Sequence, residues 1–160
     1  MLEPTIYCPS DIIFVVDVSG SISPNDFDLV KSFLKQLVRR LDIDSNTTLV
    51  GLVTYSTTVT TSFYLDTYFS VDLVQTAISQ LTHTMGLTHT AAALAHVRTT
   101  MLTSARGDRS NATNVVVILT DGRSTNTTAT QVCTMLQCCL SKNITKYQSW
   151  SRTEITVHCG

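Results

Sequence analysis

Three short runs of nearly unbroken apolar residues, most of them β-branched or aromatic, set the limits on what this chain can fold into. They lie within Asp11-Ile-Ile-Phe-Val-Val-Asp17, Leu49-Val-Gly-Leu-Val-Thr-Tyr55 and Val115-Val-Val-Ile-Leu119, the last followed by Thr120-Asp121-Gly122. Runs this short and this uniformly apolar read as strands covered on both faces, the pattern of a parallel sheet between layers of helices. The intervening segments carry the helical period. Phe27, Val30, Phe33, Leu34, Leu37, Val38 and Leu41 recur at three- and four-residue spacing, which predicts an amphipathic helix with Ser23 as N-cap and Pro24 in its first position. A second helix, opened by Ser70 or Asp72, carries Val71, Val74, Ala77, Ile78 and Leu81. A third is expected over residues 88–102, with Ala91, Leu94, Ala95, Val97, Met101 and Leu102 as its apolar positions. Val59 to Phe63 alternates and is β-branched, so it is predicted as a short strand beside the second run, at an edge. Strands alternating with helices mean βαβ units with right-handed crossovers. The expected fold is a three-layer α/β domain, doubly wound around a mostly parallel sheet with one short antiparallel edge strand. It forms one domain over residues 8–160.

Composition narrows the function classes. Hydrophobic residues make up 43% and charged residues 14% of the 160, enough apolar material for a core and too little charge for a disordered segment. The formal net charge is -1 and no basic cluster exceeds Arg39-Arg40, so the stripe a nucleic-acid binder needs is missing. No apolar run approaches the ~20 residues of a membrane span. The opening Met1-Leu2-Glu3-Pro4 lacks the basic, apolar and small-residue zones of a secretion signal and says little about the compartment. Asn-x-Ser/Thr sequons begin at Asn46, Asn111, Asn126 and Asn143, four of the six asparagines. That enrichment favours an extracellular, glycosylated protein. Of the five cysteines (Cys8, Cys133, Cys138, Cys139, Cys159) at least one has no partner within this sequence.

In a doubly wound sheet, ligands sit outside the carboxyl ends of the strands. Asp17, Ser19 and Ser21 follow the first strand, Asp121 follows the strand at 115–120, and Thr88 sits in the loop Gly86-Leu-Thr-His-Thr90 that leads into a helix. All five offer oxygen. Hard oxygen donors select Mg²⁺, Ca²⁺ or Mn²⁺ over zinc or copper. Two carboxylates balance a divalent charge, and hydroxyls and water complete the shell while leaving one position for an outside ligand. Catalysis fits poorly: no His, Cys or Lys is placed to assist Asp17 and Asp121, and no Walker or dinucleotide pattern surrounds the glycines. His89 reads as a rim residue, and His83, His96 and His158 are too scattered for a zinc cluster.

The joint pattern resembles the von Willebrand factor type A domain, the integrin-I-like fold, in the register of matrilins and of collagens that carry such modules. Asp-x-Ser-x-Ser at 17–21, Thr88 and Asp121 match its metal-ion-dependent adhesion site, and Val50-Gly-Leu-Val-Thr-Tyr-Ser56 and Val117-Ile-Leu-Thr-Asp-Gly122 match its flanking text. The resemblance implies a non-enzymatic adhesion module. A Mg²⁺ ion (or Mn²⁺ or Ca²⁺) held by Asp17, Ser19, Ser21, Thr88 and Asp121 would capture an acidic side chain of collagen or another extracellular matrix protein. In extracellular members a cysteine at the place of Cys8 often pairs with one after the last helix, a partner missing here unless Cys159 substitutes; the cysteines otherwise read as buried or unpaired thiols. Beyond about residue 125 the match departs. A helix is expected over 129–140, and either 144–150 or 155–158 as the next strand, but neither ends in the family's glycine pattern. The domain is therefore expected to be incomplete or divergent at its C-terminus. A matrix-assembly module with incidental metal, an intracellular scaffold and a truncated form without ligand are the alternatives.

Overall fold

The computed structural model describes residues 9–121, together with the backbone of two further strands at 147–150 and 153–159. In chain order the elements are β1 (Ser10–Asp17), α1 (Pro24–Val38), β2 (Thr48–Tyr55), β3 (Val59–Phe63), α2 (Val71–Ser79), α3 (Thr90–His96), β4 (Thr113–Thr120), β5 (Tyr147–Trp150) and β6 (Thr153–Cys159). They build one six-stranded sheet in the order β3-β2-β1-β4-β6-β5. The three apolar runs form its centre, with β1 paired in parallel to β2 on one side and to β4 on the other. Period-two alternation splits their side chains between two cores. Ile12, Phe14, Val16, Val50, Leu52, Val117 and Leu119 pack under α1 and α2 with Phe27, Leu34, Val38, Val74 and Ile78. Ile13, Val15, Val53, Tyr55, Val116 and Ile118 face the α3 side, against Ala93, Leu94, Val97 and Met101. Each of the larger fully buried aliphatic side chains contributes roughly 1.5–3 kcal/mol. Gly51 is the point of closest approach in the second core, because a Cβ there would lie 2.7 Å from Ile13 Cδ1 and 3.1 Å from Met101 Cε.

The helix starts follow local chemistry. Ser23 accepts from the Asp26 amide at 3.2 Å with Pro24 in the first turn, and Ser70 accepts from the Leu73 amide at 3.4 Å. The third helix is shorter than the apolar period predicts. It runs as α-helix only from Thr90 to His96 and then widens into a π-turn over Val97–Met101, closed by the Leu102 amide on the Val97 carbonyl at 2.9 Å. Here the Thr99 hydroxyl donates to the Ala95 carbonyl at 2.9 Å, a competing bond of the kind that loosens the α-helical ladder.

β3 is an antiparallel edge strand on β2, as expected, with a register shift between Leu52 and Val53. On the other flank β6 pairs antiparallel to β4, and β5 antiparallel to β6. Both candidate C-terminal strand segments are thus strands, forming a hairpin. Only Ser151 and Arg152 separate them, a connection too short for anything but antiparallel neighbours. The helix expected over 129–140 lies outside the described residues, as do Cys8, Cys133, Cys138 and Cys139.

At the amino ends of the central strands the chain is tied by one ion pair. Asp11 is fully buried. Arg109 donates to it through its amide (2.7 Å) and Nε (2.8 Å), and its remaining guanidinium nitrogens reach the carbonyls of Ser10, Asn46 and Thr47.

Candidate metal centre

The parallel register brings three side chains of the α3 face into one row at the carboxyl ends. Tyr55 is the register partner of Asp17, and Thr120 stands one step beyond the Val16–Leu119 pair. Asp17 is fully buried. Its Oδ1 accepts the Ser19 amide at 2.9 Å and its Oδ2 accepts the Thr120 hydroxyl at 2.8 Å. These are neutral donors. Burial pushes the Asp17 carboxyl above its ordinary value, the hydrogen bonds from Ser19 and Thr120 offset only part of that, and the charge of Asp121 raises it further. A desolvated carboxylate under the field of a second carboxylate, with no cationic partner among the described residues, is a negative charge held at a cost.

The hydroxyls sit beside it. Ser19 Oγ and Ser21 Oγ are 2.9 Å apart, Ser19 buried and Ser21 exposed. The turn is held from outside by His83, whose Nε2 lies 2.9 Å from the Ser19 carbonyl while its ring stacks on Phe27. The Ser19 oxygen can only accept, so Nε2 carries the proton.

Thr88 arrives on a loop docked at several points. The Gly20 amide donates to the Gly86 carbonyl at 3.1 Å, the His89 amide to the Ser56 carbonyl at 3.1 Å, and the Leu87 amide to Thr57 Oγ1 at 3.0 Å. Ser56 Oγ and Thr84 Oγ1 are 3.2 Å apart. The loop turns through positive φ at Met85 (59°) and Gly86 (98°), and a Cβ on Gly86 would sit 2.5 Å from Thr57 Oγ1. Thr88 itself is 5% exposed. His89, expected on the open rim, is half-buried, with its Nδ1 at 3.1 Å from the Thr57 carbonyl at the start of α3.

Four residues outside the sequence-derived set therefore shape the site: Thr120, His83, Thr57 and Tyr55. Thr120 carries a legible signal, being the next inward position of β4 after Ile118. The others depend on which loops meet. The Tyr55 hydroxyl is buried in the row with no hydrogen bond closed on it, although the Thr90 and Thr120 hydroxyls and the Asp17 and Asp121 carboxylates all act on it and burial pushes its ionisation up.

The donor set is thus two carboxylates and several hydroxyls. Among the described residues no three His, Cys, Asp or Glu side chains gather into a group that could hold a metal ion, so an ion here would depend on hydroxyl and water oxygens beside the two carboxylates. An oxygen-only set of this kind fits a hard divalent cation, whose charge would offset the Asp17–Asp121 repulsion.

A doubly wound α/β domain with an oxygen-lined cluster at the carboxyl ends of its strands defines the class, and comparison with known proteins gives the family. Residues 11–148 match the von Willebrand factor type A domain. The chain is 38% identical over 118 residues to matrilin-1 of Mus musculus, covering 72% of this chain and 24% of that protein. It is 41% identical over 120 residues to integrin alpha-2 of Bos taurus, covering 73% and 10%. Among solved structures, proximal thread matrix protein 1 from the mussel byssus, with a zinc-occupied MIDAS motif, is similar at a TM-score of 0.76 and 25% identity, covering 82% of this chain and 36% of that one. The chain belongs to the von Willebrand factor type A domain family. It spans less than a quarter of the length of these two curated relatives.

Proposed function

We propose that this domain is an extracellular adhesion or matrix module that binds a protein ligand through a divalent cation and catalyses nothing. Asp17, Ser19, Ser21, Thr88 and Asp121 would hold the ion, with Mg²⁺ as the resident metal and Mn²⁺ or Ca²⁺ as substitutes. The observation that carries this reading is the state of Asp17: a fully buried carboxylate with only neutral donors, beside the Ser19–Ser21 hydroxyl pair and under the field of Asp121. The cation supplies a Lewis-acidic position at which an acidic side chain of the ligand can bind. The residues around it orient the hydroxyls and keep the Asp17 carboxylate dry, which strengthens the charge interaction.

The relatives support the extracellular part of the reading. Matrilin-1 and integrin alpha-2 share the domain, and the mussel protein is a matrix protein with a metal in the corresponding motif. Collagen or another matrix protein is the proposed partner. Glycosylation would fit the same compartment, and Asn46 and Asn111 are exposed; Asn126 and Asn143 lie outside the described residues. The test is adhesion of the purified domain to immobilised collagen and other matrix proteins in Mg²⁺, in Mn²⁺ and in EDTA. Binding that disappears in EDTA and returns with Mg²⁺ is expected. Ligand binding indifferent to EDTA would overturn the reading.

A further inference from the structure

Tyr55 ends β2 in register with Asp17 and faces the α3 side with it. It is a fully buried phenol, and its hydroxyl is one of three buried side-chain polar atoms among the described residues with no hydrogen bond. The other two, on Asp108 and Asn114, belong to the opposite end of β4. Burying a hydroxyl unpaired is unfavourable, and a phenylalanine would fill the same space without that cost. The surroundings of this hydroxyl are polar, since Thr90, Thr120, Asp17 and Asp121 all act on it. A phenol O–H on the register partner of Asp17, under the field of two carboxylates, is a donor with acceptors nearby, and in a metal centre the carboxylate oxygens that the ion leaves unshared are commonly held by such a donor.

We propose that Tyr55 is a positioning residue of the metal centre, whose hydroxyl donates to the Asp17–Asp121 carboxylate pair when a divalent cation occupies the site. This rests on the proposed cation site. It predicts opposite signs for two measurements on Tyr55→Phe. Without metal, the variant sheds a buried unsatisfied hydroxyl and melts at the same temperature as the parent or higher. With metal, it loses a donor that orders the ligands, and affinity falls about tenfold.

The experiment titrates Mn²⁺ into the whole 160-residue chain, its Tyr55→Phe variant and its Asp17→Ala variant, read by the electron paramagnetic resonance of free Mn²⁺, with thermal melts of each in EDTA. Weaker Mn²⁺ binding by Tyr55→Phe at an unchanged or raised melting temperature supports the proposal. Equal Mn²⁺ affinity overturns the role of Tyr55 and leaves the cation site standing, provided that Asp17→Ala has lost the ion. A fall in both affinity and melting temperature makes the tyrosine a packing residue and overturns it as well. Absence of saturable Mn²⁺ binding by the parent chain overturns both this proposal and the site beneath it.

Discussion

The two ends of β1 each bury an aspartate completely, and they treat it in opposite ways. Asp11, at the amino end, meets the amide and guanidinium of Arg109, whose other nitrogens are taken by three carbonyls. Asp17, at the carboxyl end of the same strand, receives the Ser19 amide and the Thr120 hydroxyl and faces the like charge of Asp121. The first carboxylate is closed with its own cation, so it locks the loop before β4 onto the starts of β1 and β2. The second has no cationic partner among the described residues and stands among hydroxyls, so its environment there favours an ion from outside. Burial alone does not separate a structural carboxylate from a functional one; the charge of its partners does.

The comparison breaks most visibly at the amino end. Arg109→Ala leaves Asp11 buried and unpaired, and the expected loss is about 3–5 kcal/mol in a urea melt, the same with or without Mg²⁺. A metal-dependent loss would show that the two ends are coupled. Asp17→Asn is expected to act in the other direction on the metal-free protein. The folded-state value of Asp17 lies above its ordinary 3.8, so the native state favours the protonated form and carries a penalty once the group ionises. That penalty is absent below the unfolded value and grows as pH rises through the folded one. In EDTA at neutral pH, Asp17→Asn should therefore be more stable than the parent, the gap closing as the pH is lowered toward 3.8. The same variant should no longer bind Mn²⁺ measurably by calorimetry. A variant less stable than the parent in EDTA would mean that the neutral donors already compensate Asp17. The smallest effect is expected of Thr120→Val, which removes one of those donors: about 1–2 kcal/mol in a thermal melt, with a further raised Asp17 titration followed by NMR.

Much of this was readable in the chain. The apolar runs at 12–16, 49–55 and 115–119 became the three central strands because a segment covered on both faces has no polar side to show, whatever its neighbours. Ser23-Pro24 began α1 because capping is decided within one turn. The candidate donors at 17, 19, 21, 88 and 121 could be named from the sequence because each follows or precedes an element end, where a doubly wound sheet gathers its ligands. The π-turn after His96 was not, since the apolar period continues unchanged through it.

What the sequence determined by itself is therefore local: which segments are strands, where helices start, and which side chains carry oxygen at the strand ends. The tertiary structure alone decided how those groups are charged and held. Strand order set Tyr55, Asp17 and Thr120 in one row, and the docking of the Thr88 loop on Gly20, Ser56 and Thr57 closed the site from above. The same fold gave Asp11 an arginine 98 positions away in the chain and, among the described residues, gave Asp17 only neutral donors. Periodicity and capping act over a few residues, whereas desolvation and charge pairing depend on what the fold brings from far along the chain.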